Sequence, residues 1–143
     1  MEGNEMLNWA KDLFPIARSL TGDGVRETIT YLQKINPEFS IESFTTGEQA
    51  FEWQIPQEWK IRDAYIEHVE TGQRFAEFSK SNLHIVGYSE PIDVVMERDA
   101  LLQHIYTQPD QPSLIPYVTS YYTRRWGFCM AHYKKATLPP GDY

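Results

Sequence analysis

The sequence predicts an α+β fold. Residues 4–35 repeat their apolar side chains at helical spacing, whereas residues 39–136 carry them in short runs broken by Gly and Pro. A chain of 143 residues that is 41% hydrophobic and 14% aromatic can bury a core without disulfides or metal staples.

The first helix is expected over 4–20, with Leu7, Ala10, Leu13, Phe14, Ala17 and Leu20 at helical spacing. Pro15 lies inside that pattern, lacks a backbone donor, and is expected to kink the helix near 11–14. The TGDG run at 21–24 reads as a turn. A second helix is expected over 25–35, with Val25, Ile29, Leu32 and Ile35 on one face and Asn36-Pro37 as its stop. So short a connection predicts an antiparallel or steeply crossed pair.

Downstream, FSIESFT at 39–45 alternates as a strand does, and Gly47 punctuates it. Residues 60–68 and 74–78 read as a hairpin around Glu70-Thr71-Gly72-Gln73. LHIVGY at 83–88 reads as a further strand. A small helix is expected over 94–105, with Val95, Leu101, Leu102 and Ile105 inward. A loop with Pro109, Pro112 and Pro116 then leads into a long strand over 121–136, which Pro139-Pro140-Gly141 stops.

The net charge of −7 disfavours nucleic acid, where affinity comes mainly from phosphate neutralisation. The charge is uneven: residues 1–116 balance to −10 and residues 117–143 to +3. A cationic patch at Arg124 and Arg125 can therefore attract an anionic group. One cysteine cannot close an internal disulfide, and the acidic N-terminus lacks the order of a secretory signal. No apolar run approaches the ~20 residues of a membrane span. The expectation is a cytoplasmic protein without a membrane or nucleic-acid partner.

Chemistry concentrates in TSYYTRRWGFCMAH, residues 119–132. Read as a strand, it places Arg125, Gly127, Cys129 and Ala131 on one face and Trp126, Phe128, Met130 and His132 on the other. Cys129 and His132 then point apart, which argues against a thiolate–imidazole pair and makes Cys129 a small buried residue. His132 is either a core histidine or a contact at the rim of a cleft. Either arginine can clamp a carboxylate or phosphate, or can be solvated or paired with acidic neighbours. Trp53, Trp59 and Trp126 suit a β core, and a sugar- or peptide-stacking role is the alternative. His68, His84, His104 and His132 have no metal-ligand spacing, and no metal site is expected. A Gly-rich phosphate loop, a nucleophile elbow and a paired-carboxylate motif are all missing from the sequence.

Four ordered segments resemble the N-terminal portion of the bacterial aminopeptidase-like family, a domain of unknown function whose members often occur among polysaccharide-biosynthesis genes. They are LFPIARSLTGDGVRET (13–28), WQIPQEWKIRDAYI (53–66), SNLHIVGYSEP (81–91) and TSYYTRRWGFCMAH (119–132). The resemblance spans essentially the whole chain. It implies a zinc-exopeptidase-like α/β sheet interrupted by a small β-rich inserted domain. Residues 1–46 would supply the opening helices and first strand, 47–118 the insert, and 119–143 the returning strand.

The family's metal-binding segments lie beyond the equivalent of Tyr143, so no zinc ligand carries over. The resemblance implies zinc in a full-length member and none within this chain. The expected function is that of the N-terminal portion of an aminopeptidase-like, zinc-dependent hydrolase, inactive alone. The alternative is a stand-alone peptide- or glycan-binding module on a degenerate scaffold. Expected partners are the rest of the aminopeptidase-like domain or a second copy of the chain, with a peptide or glycan-related small substrate. Arg125, Trp126 and His132 are the expected cleft-facing residues, and no catalytic residue is identifiable.

Overall fold

A computed structural model describes residues 3–18 and 20–143. Short helices and two-stranded sheets make the fold α+β, as its sequence patterning predicts. The residues group into two compact units, one ending at Lys60 and the other running from Ile61 to Tyr143.

In the first unit, α1 spans Gly3–Leu13 and α2 spans Asp23–Ile35. Pro15 ends α1 instead of kinking it. The last helical bond runs from Phe14 N to Ala10 O, and the chain then turns through Ile16 N to Leu13 O. Position 19 of the expected longer helix lies outside the described residues. The turn at TGDG is shorter than expected, because Asp23 and Gly24 already belong to α2.

Gly22 holds φ at 89°, and a Cβ there would sit 2.6 Å from Trp59 O. Only glycine fits both demands. Asp23 pairs with Lys60 at 2.8 Å and with Arg26 at 3.0 Å, and Arg26 also pairs with Glu58. The Lys60 hydrogen bond holds the Asp23 carboxyl below its ordinary range. Its small, solvent-screened contribution is complete above the unfolded carboxyl's pKa and is lost as pH falls through the lower folded value. The Tyr31 hydroxyl donates to Asp12 Oδ2 at 2.6 Å and ties the helices together.

Neither helix buries a residue: Met6 and Leu7 in α1 remain exposed, as does Phe14 just after it. The strand expected over 39–45 does not form. That segment is exposed throughout and pairs with no other strand, so its alternation lacks the ladder partner that a strand requires. A tight hairpin follows, β1 (Gln49–Ala50) pairing antiparallel with β2 (Trp53–Gln54).

The second unit opens with the expected hairpin in shortened form. β3 (Ile66–Glu67) pairs with β4 (Arg74–Phe75) in the register Ile66↔Phe75. The 83–88 strand is only partly realised. Asn82–His84 form a 3-10 turn, after which Ile85 bridges Phe128 and Gly87 bridges Thr119. The helix expected over 94–105 shrinks to α3, Arg98–Leu102, with Leu101 inward as predicted. Val95 is instead 70% exposed, and Ile105 belongs to β5, Ile105–Tyr106.

The long strand expected over 121–136 is the largest miss. Only Phe128–Cys129 form β6, parallel to β5, and α4 begins at His132 and runs to Ala136. Residues 127–131 are buried without interruption, so this is an interior crossing segment rather than a half-solvated strand.

The core gathers Ile66, Leu101, Ile105, Phe128, Met130, Leu138 and Tyr143. Tyr143 exchanges both backbone hydrogen bonds with Met96, while Val69 N donates to Asp142 O and Arg98 N to Gly141 O. His68 is 3% exposed, makes an Nε2···O hydrogen bond with Pro140 at 3.1 Å, and meets the Tyr143 ring edge-on at 5.0 Å. The last five residues are therefore a strap across the β3–β4 hairpin and the start of α3.

Candidate functional site

The segment singled out by its chemistry runs through the centre of the second unit. Its backbone is held on both sides. Phe128 N donates to His104 O and Met130 N to Tyr106 O on one edge, while Val86 N donates to Gly127 O and Glu90 N to Arg125 O on the other. Side chains consequently alternate, as the strand reading expects for 125–130.

Arg125 lies on the Tyr106 side. Its Nη1 donates to the Tyr106 hydroxyl at 3.3 Å, its Nη2 donates to Thr119 O at 3.1 Å, and the guanidinium carbon sits 5.3 Å from the Tyr106 ring centroid. Nε is buried without an acceptor among the described residues. Gly127 makes room for this arrangement, because its missing Cβ would lie 2.8 Å from Tyr106 Cε2.

Trp126 points the other way and stacks on His104, with centroids 3.8 Å apart and planes 10° apart. It is half-buried and packs against the core. His132, at the start of α4, forms a 2.9 Å Nδ1···Oγ1 hydrogen bond with Thr107. The three expected residues thus share no partner, and no hydrogen bond joins them. Arg124 reaches solvent and pairs with Glu90 at 2.7 Å.

Cys129 is fully buried, and desolvation pushes its thiol up to about 12. A thiol so shielded is not a nucleophile at neutral pH. In the folded protein Cys129 is expected to resist a maleimide or aromatic disulfide reagent until denaturant is added. Labelling at the rate of a small free thiol would contradict that geometry.

His68 is tied to Pro140 O, His84 Nδ1 lies 2.7 Å from Cys129 O, His104 stacks on Trp126, and His132 bonds Thr107. Among the described residues no group of three or more His, Cys, Asp or Glu could hold a metal ion. The donor set present does not fit zinc. Nor is any helix among the described residues long and apolar enough to cross a membrane.

Tyr106 and Thr119 complete the surroundings of Arg125, and neither is among the site residues expected from sequence. The apolar run ending at Ile105 reads as helix, which leaves Tyr106 in a loop. Its position in β5 emerges only once β6 is found to pair with it.

A curated protein of Clostridium acetobutylicum is 39% identical over 141 residues, which is 99% of this chain and 32% of the relative. Its provisional name describes a polysaccharide biosynthesis protein with an aminopeptidase-like domain. A crystal structure from the same organism, provisionally named a peptidase, superposes with a TM-score of 0.93 at 39% identity. It is covered to 33% of its length by 99% of this chain. The chain therefore spans about a third of the length of these relatives. Residues 58–143, which include the whole second unit, match the profile of the domain of unknown function DUF2172, and the chain belongs to this family.

Proposed function

We propose that the chain is the N-terminal portion of an aminopeptidase-like, zinc-dependent hydrolase, inactive alone, whose metal ligands come from polypeptide beyond it. The observation that carries this reading is the match of nearly the whole chain to one third of a relative named for an aminopeptidase-like domain. The uncovered apolar side chains of the first unit, among them Phe14, Phe44 and Phe51, support it, since a solvated helix pair gains little from burial of its own. The rest of the aminopeptidase-like domain, or a second copy of the chain, is the expected cover, and the location is cytoplasmic.

In that protein residues 1–46 and 119–143 belong to the exopeptidase-like sheet, and 47–118 form the insert. The pairing of β5 with β6 adds that insert and returning segment share backbone hydrogen bonds. Zinc would supply the activated water and the charge stabilisation of peptide hydrolysis. This chain's part is to shape the cleft, with Arg125, Trp126 and His132 as substrate contacts.

Aminoacyl anilides incubated with the chain and added zinc are expected to show no turnover, while the longer protein cleaves them. Stoichiometric, tightly bound zinc in the 143-residue species would falsify the division of labour. In the longer protein, alanine at Arg125 or His132 is expected to lower kcat/KM by about tenfold or more with a small change in Tm. A large drop in Tm with turnover preserved would make these residues structural.

A further inference from the structure

We propose that Arg125 and the Tyr106 hydroxyl form a receptor for an oxyanion, the carboxylate or phosphate of a ligand. The inference deepens the reading of Arg125 as a substrate contact and rests on it. Four arginines, Arg26, Arg74, Arg98 and Arg124, each pair with an aspartate or glutamate. Arg125 is half-buried and has no carboxylate partner among the described residues, although the chain carries 20 acidic side chains.

A guanidinium withdrawn from water without a counter-charge is costly unless something else supplies the charge. Its neighbours are neutral: a backbone carbonyl, a phenol hydroxyl and a phenol ring. Arg125 keeps this pose even though Nε has no acceptor there.

The donors point to the class of ligand. Because the Tyr106 oxygen accepts from Nη1, its own hydrogen is left to donate elsewhere, and it has no acceptor among the described residues. That O–H and the remaining Nη hydrogens form a neutral-plus-cationic donor set, which matches the geometry of a carboxylate or phosphate edge. The Tyr106 ring covers one side of the guanidinium, lowering the local dielectric and strengthening a charge-assisted bond. Gly127 is what lets the ring lie there.

The test is calorimetric titration of the 143-residue chain with inorganic phosphate and, separately, with acetate. Saturable binding of at least one anion is expected. Arg125→Lys keeps the charge but loses the fork, and should weaken binding about tenfold. Tyr106→Phe keeps the ring and should weaken it about threefold or more without lowering Tm. Arg124→Ala should leave affinity unchanged, because that side chain is solvated and already paired.

Preference for phosphate points to a phosphorylated ligand, preference for acetate to a free carboxylate, and either supports the receptor. Saturable binding of neither anion overturns it. So does wild-type affinity in Tyr106→Phe, which alone decides if Arg125→Lys fails to fold, or loss of binding in Arg124→Ala. Because no turnover is read, the receptor can fail while the hydrolase reading stands, and the reverse.

Discussion

Gly127→Ala is expected to destabilise the second unit by about 1–3 kcal/mol, the range for forcing an extra carbon into a packed interior. For a domain of this size that is a fall in thermal midpoint of about 4–8 °C per kcal/mol. The added Cβ would stand 2.8 Å from His104 O, 2.8 Å from Tyr106 Cε2 and 3.2 Å from Val86 Cγ2. The Tyr106 ring could swing away. His104 O cannot, because it accepts the Phe128 N–H at 2.8 Å in the parallel ladder, and Val86 is wholly buried. Circular dichroism during heating measures the effect. A midpoint equal to that of the parent would mean that the two edges flanking residues 125–129 are less closely packed than described.

Gly24→Ala sets two effects of opposite sign against each other. Within a helix the change from glycine to alanine normally stabilises by about 1 kcal/mol. Here the new methyl would enter the van der Waals shell of the Ala17 carbonyl, with Ile16 Cγ2 only 3.2 Å away. A backbone oxygen in a turn fixed by Pro15 has little freedom to retreat, so steric cost wins, and the net expectation is a loss of about 1–3 kcal/mol. Amide exchange across α2 should accelerate, beginning at its N-terminal turn. Gly3→Ala is the matched control, since nothing lies within 4 Å of its new carbon, and should be neutral or slightly stabilising. Equal protection in the two variants would rule out the close approach of α2 to residues 16–17.

The sequence was most legible where local chemistry alone decides. The stop of α2 at Asn36, the hairpin turn around Gly72 and the inward Leu101 follow from capping, turn residues and periodicity. It was least legible where a segment's state depends on a distant partner. FSIESFT alternates like a strand yet has no edge to pair with, whereas Phe128–Cys129 is a strand because β5 lies beside it. His132 carries a strand-like pattern into α4, since a continuous buried run looks alike in both periodicities. At the candidate site, the opposite facing of Arg125 and Trp126 was readable from alternation. Tyr106 was not, because its role depends on a parallel neighbour 23 positions downstream in the register Tyr106↔Cys129.

The strap formed by the last five residues has a kinetic consequence. His68 meets Pro140 across 72 positions of sequence, and the chain's final residue is seated among side chains laid down at the start of the same unit. Contacts this remote in sequence close late and slowly. During translation, the hairpin at 66–75 therefore gains its strap contacts only after residues 139–143 have cleared the ribosome.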